Sequence, residues 1–109
     1  MLDLNGPWGW LNLESKSKVE DIINKLKNYE RLSWGEIEKS NQNHLIPLDR
    51  ISKEARERLG EMQLYDLDSL FSFRLSGKER IWGWRYLGLF YIIWWDPEHK
   101  VYPVSKRHT

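Results

Sequence analysis

The chain has no cysteine among its 109 residues, which excludes disulfides, zinc–thiolate sites and cysteine nucleophiles and leaves the fold to packing alone. It also lacks a long apolar run. The longest, Leu87 to Trp95, is interrupted by Gly88, and a membrane-crossing helix needs about 20 apolar residues. Met1 to Asn5 carry Asp3 and have no basic stretch before an apolar segment, so a secretion signal is not expected and the cytoplasm is the expected compartment. Net charge is only +1, too little for a global field. There is no Gly-rich phosphate loop, no G-x-S-x-G elbow and no HExxH or paired-carboxylate spacing. Kinases and hydrolases of the common kinds are therefore not expected, nor is a metal or an organic cofactor.

What the chain does have is 40% hydrophobic and 30% charged residues and a mean hydropathy of -0.69. These values suit one water-soluble globular domain spanning residues 1–109. Its seven tryptophans must supply much of the core. Charge is unevenly spread: residues 1–69 hold ten basic against thirteen acidic side chains, and residues 70–109 hold seven against three. The excess of basic charge in the C-terminal part suits an anionic ligand.

Pro7 to Leu13 would place Trp8, Trp10 and Asn12 on one side of an extended segment, a first strand. Val19, Ile22, Ile23, Leu26 and Tyr29 then recur with a period near 3.6, predicting a helix capped by Ser17 and Glu20 that runs to about Arg31. Ser33 to Glu36 repeats the cap and opens a short second helix, with Trp34 and Ile37 inward, that ends near Ser40. Ser40 to Leu48 has neither period and reads as a loop or extended connector. Ser52 caps a third helix over 52–62, on which Ala55, Leu59 and Met62 recur. From Leu67 the period becomes two. Phe71, Phe73 and Leu75 alternate with Ser72 and Arg74, Ser76 to Glu79 supply a turn, and Arg80 to about Leu87 forms the next strand. Gly88 marks a tight return into Leu89 to Trp95, apolar on both faces as a central strand would be. Asp96-Pro97-Glu98-His99 has type I turn chemistry, Lys100 to Val104 would return as a last strand, and Ser105 to Thr109 form a mobile tail. Helices segregated on one face of an antiparallel meander make an α+β fold.

Arg74, Arg80 and Arg85 fall on successive strands. Adjacent guanidinium groups are stable mainly when a polyanion or carboxylates neutralise them, so a phosphate site is one reading and pairing to Glu79, Asp66 or Asp68 the other. Arg80 and Arg85 are an odd number apart, so at most one shares the face of Arg74. His99 lies beside Lys100, three residues before Tyr102 and close to Asp96 and Glu98. It reads either as an acid–base group or as part of a turn held through Asp96. His44 in the connector and His108 in the tail stand apart. Trp82, Trp84 and Tyr86 share one face, which is either packed inward or an exposed platform for bases or a partner protein.

The segments RLSGKERIWG and WWDPEH, with SWGEIEKS and KEARERL before them, resemble a group of small bacterial proteins. Through it, the order of strand, helices and meander is similar to the RelE/ParE toxin superfamily. That resemblance implies a toxin of a toxin–antitoxin pair, either an endoribonuclease acting on RNA at the ribosome or a gyrase inhibitor, neutralised by a protein antitoxin. The chain departs from it in its near-neutral charge and third helix. The reading that follows is a RelE-like, metal-independent endoribonuclease. His99, Arg80 and Tyr102 would be catalytic, and Arg74, Lys78, Arg85 and Lys100 would hold the nucleic acid. The alternative is a non-enzymatic module that binds protein or nucleic acid through an aromatic sheet face.

Overall fold

The computed structural model describes residues 2–40 and 43–103; Val104 and the tail lie outside them. Three helices form where apolar spacing and caps predict them: α1 (Lys16–Glu30), α2 (Trp34–Glu38) and α3 (Lys53–Glu61). Ser15, not Ser17, caps α1, its Oγ accepting the Lys18 N–H at 3.2 Å. Ser33 and Glu36 complete a full capping box on α2, and Ser52 caps α3. No helix among the described residues is long and apolar enough to cross a membrane.

The sheet is antiparallel, with four strands in sequential order: β1 (His44–Pro47), β2 (Ser69–Arg74), β3 (Arg80–Tyr86) and β4 (Leu89–Asp96). The α+β class holds, with three changes of layout. Pro7 to Leu13 is not a strand, and Trp10–Asn12 instead forms a 3-10 turn. The chain crosses itself tightly there, since a Cβ on Gly9 would meet the Leu4 carbonyl oxygen at 2.3 Å. The connector supplies β1, an edge strand that tolerates Pro47 because it pairs on one side only. After β4, residues 97–103 form a turn and bends rather than a strand.

β4 is consequently an edge and not the centre. Its apolar faces are explained by the N-terminal segment, which clasps it: the Asp3 N–H donates to Ile93 O and the Trp95 N–H to Trp8 O, each at 3.0 Å. Trp8 packs edge-on against Trp94 with ring centroids 5.0 Å apart, and Trp10 lies 6.1 Å from Trp95. Successive strand residues point to opposite faces, so these two tryptophans straddle β4. A one-residue bulge opposite Trp82 and Gly83 makes room for Ile93.

Helices cover both faces, not one. α3 with Ile51 and Val101 packs on Ile46, Leu70, Trp82, Ile93 and Trp94. α1 and α2 bury Ile22 and Ile37 against Phe71, Phe73, Ile81 and Trp95 on the other side. Asp3 fastens the N-terminal segment to the first of these layers. Its buried carboxylate accepts two bonds from Arg58 and one from Trp94 Nε1, all at 2.8 Å.

Candidate functional site

Directly opposite residues in an antiparallel pair present their side chains on one face. Arg74 stands opposite Arg80, and Arg80 opposite Asp96, so the three share the α3 face at the open end of the sheet. The next row in from that end is His44, Ser72, Trp82 and Trp94. Residues 97–102 fold back over this end. The Asp96 carboxylate directs them, with Oδ1 accepting the Lys100 N–H at 2.8 Å and Oδ2 accepting the Val101 N–H and Trp82 Nε1 at 3.0 Å. The Ser52 N–H then donates to Val101 O at 2.8 Å, and Val101 is fully buried. His99 is thereby placed half-buried at the edge of the face, in a left-handed backbone conformation with φ 59°. Its ring centroid is 6.3 Å from that of Tyr102. A non-glycine residue held in that region is a strained position of the sort that clusters at functional sites.

The electrostatics tie these groups into one cluster. Burial pushes the Arg80 pKa down, and the Arg74 charge pushes the same way against the attraction of Asp96. His99 is also pushed below the ordinary histidine value, first by burial and then by the charge of Arg80; the attraction of Asp96 opposes them, and His44 adds a smaller push downward. Asp96 is occupied by the loop, and among the described residues no carboxylate forms an ion pair with Arg74 or Arg80. Arg80 Nη1 donates to Gly77 O at 2.7 Å and Glu79 O at 3.1 Å, which fixes its plane. The result is a pair of neighbouring cations next to an imidazole whose protonation is disfavoured.

Arg74, Arg80, His99 and Tyr102 are thus brought together. Lys78 sits exposed on the β2–β3 turn, 3.9 Å from Glu98 on the turn after β4, and rims the cluster. Lys100 is exposed beside His99. Arg85 is not part of the group: it projects from the opposite face, where it lies 4.1 Å from the Trp34 ring and pairs with Glu38. The turn after β4 is held through Asp96, as one reading of His99 supposed, but Asp96 binds backbone N–H groups rather than the imidazole. His44 is the residue that sequence reasoning set aside; it belongs to the cluster because the aperiodic connector around it is a strand.

The aromatic face of β3 is neither wholly inward nor wholly exposed. Trp82 is fully buried, Trp84 is half-buried and stacked on Tyr91 at 4.9 Å, and Tyr86 is exposed. Among the described residues no group of three or more His, Asp or Glu side chains is arranged to hold a metal ion. Comparison of the chain with protein-family models, curated proteins and solved structures finds no match.

Proposed function

We propose that the chain is a toxin-type endoribonuclease that cleaves RNA with side chains alone at the Arg74–Arg80–His99–Tyr102 cluster. The observation that carries this is the placing of Arg74 directly opposite Arg80, with no ion pair to a carboxylate among the described residues, beside a half-buried histidine whose pKa is lowered. Like charges at such a cross-strand position are destabilising unless an anion joins them, and a phosphodiester is the anion that two planar guanidinium forks suit best. His99 supplies a base for the attacking 2′-hydroxyl, and Tyr102 positions that hydroxyl or its base. A relation to the RelE/ParE toxins, with RNA at the ribosome as substrate and a protein antitoxin as partner, is supported by the RLSGKERIWG and WWDPEH segments, which contain Arg74, Arg80 and the turn leading to His99.

The test is incubation of the purified protein with a single-stranded RNA oligonucleotide in the presence of a chelator. Wild type should cleave, and His99→Ala and Arg80→Ala should each lose about 100-fold or more while remaining folded. Full activity in both variants overturns the assignment. A second reading, a non-enzymatic docking module, is favoured by the β3–β4 hairpin tip, where Tyr86, Leu87 and Leu89 are 59%, 83% and 59% exposed. It predicts intact RNA and a captured partner that is lost when Leu87 and Leu89 are changed to Ser.

A further inference from the structure

We infer that His44 is the second proton-transfer group of this site, the acid that protonates the leaving 5′-oxygen of an RNA linkage while His99 acts as the base. The inference rests on the endoribonuclease reading above and deepens it. His44 opens β1 directly opposite Ser72, on the face shared with Arg74 two residues further along β2. His99 approaches the same end of that face from beyond β4, at the other side of the sheet. The two imidazoles therefore enter from opposite edges, one from β1 and one from the turn after β4, with the Arg74–Arg80 pair on the two strands between.

Phosphoryl substitution is in line, so the attacking and departing oxygens lie on opposite sides of phosphorus. A base that has taken the proton from one side is badly placed to deliver it on the other, and an alkoxide leaves poorly without a proton. Two separated imidazoles solve both problems. In the step, the 2′-hydroxyl proton passes to neutral His99, the O2′–P bond forms, and the P–O5′ bond breaks. His44, acting as the acid, gives a proton to O5′. The products are a 2′,3′-cyclic phosphate and a 5′-hydroxyl, and the two histidines return to their starting states by exchange with water.

Environment separates the roles. His99 is half-buried and faces Arg80 from β3, Asp96 from β4, His44 from β1 and Tyr102 from its own segment, with Arg74 next to Arg80. His44 is exposed, and no hydrogen bond or ion pair to its ring is found among the described residues, so it is open to exchange with water. The substrate class that follows is RNA with a 2′-hydroxyl at the cut linkage.

The test uses one RNA oligonucleotide in two forms, the natural one and one with sulfur in place of the bridging O5′ at the cleaved linkage, whose thiolate departs without a proton. His44→Ala and His44→Gln are each compared with wild type and His99→Ala, with thermal melts to establish folding. Expected is a loss of about 100-fold for both His44 variants on the oxygen substrate, near wild-type rates on the sulfur substrate, and loss on both substrates for His99→Ala. A His44 variant that loses equally on both substrates, or on neither, overturns the inference and leaves the endoribonuclease reading standing. Failure of the wild type to cleave the oxygen substrate removes both.

Discussion

Arg74 and Arg80 are directly opposite each other across the β2–β3 hairpin, and each raises the cost of the other's charge. Phosphate or sulfate should therefore raise the melting temperature above that in chloride at equal ionic strength. Arg74→Ala should abolish the difference. The same variant should change stability by no more than about 0.5 kcal/mol, because the removed charge was repelled as well as solvated. Equal melting temperatures in the two salts would show that no anion site exists.

The Asp3 carboxylate is buried in four hydrogen bonds, two from Arg58, one from Trp94 and one from the Gly6 N–H. Asp3→Ala leaves these donors without a partner and should cost about 3 kcal/mol in urea unfolding. Principally through the Arg58 bond, the folded protein holds the Asp3 pKa down at about 2 against a reference of 3.8. A carboxylate depressed in this way stabilises the fold above the reference pKa. That contribution, of about 2 kcal/mol, should disappear as pH falls from 4 towards 2, and should be missing from the acid unfolding curve of Asp3→Asn.

For His99 the sign is opposite in meaning to that of a salt-bridged histidine. Burial, then Arg80, lowers its pKa in the fold below the reference 6.5, so the unfolded chain takes up the proton first. Stability should decline as pH drops through 6.5 towards the folded value. On the endoribonuclease reading proposed above, the acid limb of the cleavage rate should lie below pH 6.5, where His99 takes up a proton in the folded protein. NMR titration of the imidazole should place its midpoint below that of the unfolded chain, and Arg80→Gln should move it upward.

A Cβ on Gly83 would meet the Tyr91 carbonyl oxygen at 2.2 Å and Phe90 Cζ at 2.8 Å. Gly83→Ala should thus destabilise by about 1–3 kcal/mol and disturb the bulge that seats Ile93. Gly60→Ala, with open space around it, should stabilise α3 slightly. Urea unfolding of the pair distinguishes close packing from a general intolerance of side chains at glycine.

Much of this architecture could be read from residue order. Ser33 and Glu36 bracket α2 because their bonds are local, and Phe71, Ser72, Phe73 and Arg74 show the alternation of β2. Alternation shows that at most one of Arg80 and Arg85 shares the face of Arg74, but only the hairpin register identifies Arg80 as that one. β1 was not legible: four residues on a sheet edge, among Asn and Pro, carry too short a pattern to signal extension, so His44 had no visible neighbours. Trp8 and Trp10 looked like one face of a strand because alternation cannot register a chain crossing at Leu4 and Gly9. The two-sided apolar character of β4 correctly indicated cover on both faces, but the cover came from a segment some eighty residues earlier, which no local period records.

That distant cover has a consequence for how the protein comes into being. Asp3 and Trp8 bond to Ile93 and Trp95, and Ser52 to Val101, so the most separated parts of this stretch depend on one another. A ribosome must have delivered almost all of it before either half can settle, and contacts of such long range close slowly. The growing polypeptide therefore has no assembled basic cluster until its last strand and the turn beyond it have emerged.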